Sequence, residues 1–214
     1  MSDWEQYFDK IVCEENIGKN KDEYPYIYYC KPCKYYTKTP ILYVYRNKNA
    51  TKLENDLPIP PINSFEHMFI HCELLSNIDT LKNWDTSCIE NMRGMFNNCS
   101  SLSNINALEN WNTESVVNMD FMFYDCNSLS NIDGLKNWNT KNVINMKFMF
   151  GRCQSLSNID ALKNWNTRNV SNMIYMFENC ISLRNIDGLR NWDIRNVKNK
   201  DNMFFNCNSL ESYT

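Results

Sequence analysis

The chain has 214 residues, a net charge of −3 and a hydrophobic fraction of 43%, enough to bury a sizeable core and too apolar for wholesale disorder. No long block of one sign occurs, which excludes a basic nucleic-acid arm and a strong steering field. No run approaches the ~20 apolar residues of a membrane-spanning helix.

The first six residues, Met-Ser-Asp-Trp-Glu-Gln, have neither the basic start nor the apolar run of a secretory signal, and an initial Met argues against a lost leader. Residues 2–16 read as a helix with Trp4, Phe8, Ile11 and Val12 on one face. Residues 24–29 and 41–45 read as aromatic strands separated by Cys30-Lys31-Pro32-Cys33. Prolines in 57–61 cannot continue a ladder and mark a boundary. The expected organisation is therefore a small α+β capping region over 1–61 and a repeat region over 62–214.

In that second region Cys72, Cys99, Cys126, Cys153, Cys180 and Cys207 recur every 27 residues (99 − 72 = 27), and Trp84, Trp111, Trp138, Trp165 and Trp192 keep the same interval. Such a clock marks a stack of equivalent units, each presenting the same side chains to the next. Val116, Met119, Met122, Phe123 and Cys126 follow i, i+3, i+6, i+7, i+10, the stripe of an amphipathic helix, with Thr113 placed as its N-cap. Thr86, Thr140 and Thr167 fill the same slot. Residues 129–135 then read as a short strand. One strand and one helix per repeat predicts an α/β, leucine-rich-repeat-like solenoid of about five and a half repeats, with the strands on the concave side.

The stretch Met149-Phe150-Gly151-Arg152-Cys153-Gln154-Ser155-Leu156-Ser157-Asn158-Ile159 resembles the BspA-like, Treponema-type leucine-rich repeat. The fuller form from Trp165 to Met173 is similar to the longer variety seen in mycoplasma surface lipoproteins and large DNA viruses. The resemblance implies an adhesive or protein-binding, non-enzymatic role. With no leader in view, it points to an intracellular or virion protein, and to another structural or capsid-type protein as partner. Surface adhesion is the second reading.

Ten cysteines in a chain without a leader read as thiols or metal ligands, not as a disulfide framework. The periodic ones are expected to be free and buried. Cys30 and Cys33 form half of a zinc knuckle, and His67 and His71 are the only histidines that could complete it. Roughly 33 residues separate the pairs, against roughly 12 in a compact finger. A zinc-dependent recognition module is thus the third reading, beside a plain turn carrying two thiols. The tryptophan column is either a packed stack or a ring-stacking platform.

The expected binding columns lie on the strand face. Asp79, Asn106, Asp133, Asp160 and Asp187 form one, and Asn104, Asn131 and Asn158 sit beside it. A line of carboxylates repels itself, and a basic partner or a cation would relieve it. No glycine-rich phosphate loop or Gly-x-Ser-x-Gly elbow occurs, so no catalytic residue is expected. The last repeat is degenerate, with Ile194 in the Thr slot and Lys200 in a Met slot, and predicts an open coil that self-associates.

Overall fold

The structure, a computed structural model, describes residues 63–211 and two short strands, β1 (Tyr28–Tyr29) and β2 (Ile41–Leu42). These strands pair antiparallel, Tyr28 opposite Leu42. The helix expected at 2–16, the Cys30–Cys33 turn and the 57–61 boundary lie outside the described residues.

From Ser64 the chain winds in coils of 27 residues. Parallel bridges join Ser64 to Asn91, Asn91 to Asn118, Asn118 to Asn145, Asn145 to Asn172 and Asn172 to Asn199. Each of these residues opens a new coil, so the first starts at Ser64 and the sixth at Asn199.

The α/β, leucine-rich-repeat-like solenoid with a strand and a helix per repeat is not what forms. Among the described residues the coils contain no α-helix, and their only helical pieces are short 3-10 turns at Asp79–Asn83, Asn106–Leu108, Asp133–Leu135, Asp160–Leu162 and Asp187–Leu189. The segment expected to be helical shows why. Its N–H groups alternate between two destinations. Met119, Phe121, Phe123 and Asp125 donate to Asn145, Lys147, Met149 and Gly151 of the next coil at 2.8–2.9 Å. Met122, Tyr124 and Cys126 instead donate three residues back, to Met119, Phe121 and Phe123, at 3.1–3.3 Å. An α-helix would turn every N–H inward; here half of them stitch coil to coil.

Such alternation needs a left-handed backbone residue at fixed slots. Phe121 (φ 57°) and Asp125 (φ 60°) occupy two of them, four residues apart, and Phe148, Arg152, Tyr175 and Asn179 repeat the pair. Successive three-residue turns still bring Met119, Met122, Phe123 and Cys126 to the inside, where all four are fully buried. That spacing imitates a helical stripe.

The expected threonine N-caps are corrected in the same way. Thr113 is buried, its carbonyl accepts the Val116 N–H at 3.0 Å, and its hydroxyl donates to Asn139 O of the next coil at 3.1 Å. Thr86, Thr140 and Thr167 make the equivalent contact. Two further side-chain ladders run the opposite way. Trp Nε1 of residues 111, 138, 165 and 192 donates to Leu81, Leu108, Leu135 and Leu162 O at 2.8–3.0 Å. Cys126 and Cys153 Sγ meet Phe96 and Phe123 O at 3.1 and 3.2 Å. Burial pushes the thiols of Cys126, Cys153 and Cys180 well up and that of Cys207 to about 11, so they stay protonated donors and poor nucleophiles.

The core is a set of rows along the stack. Phe96, Phe123, Phe150, Phe177 and Phe204 lie ring on ring at 5.5–5.7 Å. Trp84 to Trp192 form a second row at 6.2–6.4 Å with planes within 3°. At 3–9% exposure these indoles are packing, not a platform for sugars or bases.

Candidate functional site

The expected binding columns turn out to be turn formers. Asn131 Oδ1 accepts the Asp133 N–H at 2.8 Å, Asn158 the Asp160 N–H at 2.7 Å, and Asn104 the Asn106 N–H at 3.4 Å. Each asparagine thereby opens the 3-10 turn that follows it, as a side chain can when it mimics a backbone carbonyl. Asn77 and Asn185 do the same for Asp79 and Asp187. Asp79, Asn106, Asp133, Asp160 and Asp187 remain exposed along this edge. Three of the four carboxylates are locally met: Asn77 and Asn158 amides donate to Asp79 and Asp160, and Arg190 pairs with Asp187 at 2.8 Å. Asparagine at Asn91, Asn118, Asn172 and Asn199, and at Asn112, Asn139 and Asn166, builds two more turns per coil by the same device. The abundance of this residue is thus demanded by the coil.

In a stack of equal coils, a side chain that recurs in every coil serves the coil, and one that differs has been released from that duty. Four differing positions per coil lie together on one face, the hydrogen-bonded ladder between the bridge asparagines and the cysteines. Across the third coil this face carries Asp120, Phe121, Tyr124 and Asp125, and across the fourth Lys147, Phe148, Gly151 and Arg152. The second coil has Arg93, Gly94, Asn97 and Asn98 in those slots, and the fifth Ile174, Tyr175, Glu178 and Asn179. Sequence reasoning missed this face because the slots were read as the outside of a helix. Their irregularity from coil to coil was the available signal.

Three half-exposed rings form its centre. Phe121 stacks on Phe148 at 4.9 Å, Phe148 on Tyr175 at 4.7 Å, and Tyr124 stands edge-on to the first two at 5.6 Å. All three stacked residues hold positive φ, 53–57°, where the equivalent slots carry His67, Gly94 and Asn202. A left-handed bulky residue costs ~1 kcal/mol or more, so these rings are kept against the local backbone preference. Cations lie over them: Lys147 Nζ is 5.7 and 5.5 Å from the Phe121 and Phe148 centroids, Arg93 6.0 Å from Phe121, and Arg152 5.5 Å from Tyr124.

Acids interleave with these cations. Asp120 accepts the Lys147 N–H at 2.8 Å, and burial raises its carboxyl while that bond and the nearby Arg93 and Lys147 charges oppose the rise. Glu178 is only 8% exposed; Oε1 accepts from the Asn179 amide, Oε2 has no hydrogen-bond partner, and Arg152 Nε stands 4.0 Å off. Burial raises its carboxyl, with Arg152 pulling the other way. A shallow depression of about 300 Å³ opens beside it, lined by Asp125, Arg152, Gln154, Asn179 and Ile181.

A carboxyl raised on folding holds its proton more firmly in the native state, so stability is greatest below its free value of 4.5 and falls as pH rises through the raised one. Glu178→Gln keeps the shape and removes the charge. It is expected to melt a few degrees above the parent at pH 7, with the gap closing as the pH is lowered toward 4.5. An unchanged or lower melting temperature at pH 7 contradicts this reading of the buried carboxylate.

Among the described residues no group of three or more His, Cys, Asp or Glu side chains could hold a metal ion. His71 Nδ1 is engaged by the Asn98 amide at 2.8 Å, and Cys30 and Cys33 lie outside the described residues. No helix among them is long and apolar enough to cross a membrane. A family model described as "Mycoplasma protein of unknown function, DUF285" matches residues 63–180 and, in a second overlapping register, 130–213. No curated protein and no solved structure matches the chain. Two matches offset along one chain are what a coil repeat should give, and together they span every complete coil: the chain belongs to this mycoplasma family, DUF285.

Proposed function

We propose that the protein is a non-enzymatic binding module that engages another protein through the ladder face, and that its coils are of the BspA-like type. The supporting observation is the row Phe121, Phe148 and Tyr175, aromatic and half-exposed at left-handed positions that the other coils fill with His67, Gly94 and Asn202. Aromatic rings bordered by arginine match the composition of energetic centres in protein interfaces. The virion and surface-adhesion settings differ in where the partner resides, and fractionation of the native source separates them.

The test replaces Phe121, Phe148 and Tyr175 together by asparagine. Asparagine suits the left-handed backbone, as Asn202 shows at φ 55°, and that gain partly offsets the loss of the two stacking contacts and of the edge contacts to Tyr124 and Phe205, worth ~0.5–1.5 kcal/mol each. The variant is expected to melt below the parent yet still cooperatively, while losing retention of the native partner on an affinity column at least tenfold. Full retention by a folded variant refutes the proposal.

A further inference from the structure

The order of charges on the ladder face carries more than a general capacity to bind. Two columns flank the aromatic row. On one side Asp120 of the third coil is followed by Lys147 of the fourth; on the other Asp125 is followed by Arg152. In both columns the acid precedes the base by one coil. Neither Asp120 and Lys147 nor Asp125 and Arg152 form an ion pair within the chain. The Lys147 ammonium rests over the rings, and Arg152 lies over Tyr124 with a 4.0 Å approach to Glu178.

We infer that the partner of this face is a second copy of the chain, docked face to face and antiparallel about a two-fold axis that crosses the face between the third and fourth coils. This rests on the ladder face being the binding face. A half-turn about such an axis keeps every residue in its own column and reverses the order of the coils. Asp120 then faces the partner's Lys147, Asp125 faces the partner's Arg152, and Phe121 meets the partner's Phe148. Each contact occurs twice by symmetry, giving four opposite-charge contacts around two central aromatic contacts.

The other simple arrangements fail on the same residues. An axis running along the stack would exchange the two charged columns, setting Asp120 against the partner's Asp125 and Lys147 against the partner's Arg152. An axis passing through a coil would set Asp120 against its own copy. Like charges juxtaposed at an interface are strongly disfavoured, and both of these arrangements create them. An axis between coils two and three would set Arg93 against the partner's Asp120 and Glu66 against the partner's Lys147, but Arg93 and Glu66 already neutralise each other within the chain at 2.9 Å, which leaves the axis between coils three and four. One mismatch remains at the rim, where Glu66 faces the partner's Asp201, and Glu66 is already held by Arg93 at 2.9 Å.

Sedimentation of the full chain over a wide concentration range tests this. The parent is expected to be a dimer whose dissociation rises with salt. Arg152→Asp should weaken it at least tenfold, and adding Asp125→Arg in the same chain should restore it, because the exchanged charges still face each other. Lys147→Asp with its rescue by Asp120→Lys provides a second pair should the first fail to fold, as judged by near-ultraviolet dichroism. A parent that stays monomeric, a dimer indifferent to both reversals, or reversals that the second changes do not rescue would each overturn the assignment. A monomer that retains a different protein through Phe121, Phe148 and Tyr175 would overturn self-pairing and leave the binding face standing. A dimer that ignores all four changes would place association elsewhere, such as at the sixth coil.

Discussion

Trp138→Ala is expected to cost about 3–5 kcal/mol, the range for emptying a large buried aromatic site, and to lower the melting temperature by ten degrees or more. Trp138 sits mid-stack between Trp111 and Trp165, at 6.4 Å from each, and its Nε1 donates to Leu108 O at 2.9 Å. Truncation opens a void between two parallel indoles that cannot close on each other, because the ladder on the opposite side of the coil fixes the coil spacing. It also deprives Leu108 O of its indole donor; the Trp111 N–H at 3.1 Å remains. Trp138→Phe keeps a ring in the row and should recover more than half of the loss. If alanine and phenylalanine melt together close to the parent, the row is not a structural spine.

Gly134→Ala is the second large effect. A methyl at Gly134 would stand 2.1 Å from Ile105 O and 2.8 Å from Ile105 C, both backbone atoms of the preceding coil. The conflict is one of close approach, since Gly134 has no left-handed φ. The column reads Thr80, Ala107, Gly134, Ala161, Gly188, so coils three and five omit the methyl their neighbours carry. Alanine there forces the third coil away from the Ile105 carbonyl of the second, at about 1–3 kcal/mol by analogy with overpacked cores. Thermal melting checks it. A variant that matches the parent would mean that the coil spacing at this edge is slack.

The period and the identity of the buried rows were readable from spacing alone: Cys126, Trp138, Met122 and Phe123 recur because each meets its own counterpart. The secondary structure was not. Val116, Met119, Met122, Phe123 and Cys126 satisfy a helical template, yet three-residue turns linked through left-handed residues satisfy it equally. Nothing in Phe121 or Arg152 announces positive φ, because bulky side chains rarely take it. The asparagines misled in a related way. Asn104, Asn131 and Asn158 look like a polar binding column, but their side-chain carbonyl oxygens are spent on the backbone N–H two residues on. The binding face was hidden by the same error. Once Asp120, Lys147, Asp125 and Arg152 were assigned to the outside of a helix, their differences from coil to coil looked like tolerated surface variation.

The coils should be interchangeable parts, each contacting only its neighbours. Tandem duplication of residues 118–144 tests this most directly, with duplication of 118–143 as the off-register control. The 27-residue insertion should fold cooperatively, melt above the parent because it adds a full coil-to-coil interface, and lengthen the particle by about 5 Å, one inter-strand spacing. The control, one residue short, should unfold or aggregate because it breaks every row at the junction. If the two insertions behave alike, or if the in-register one destroys cooperative melting, the chain is not a stack of equivalent coils.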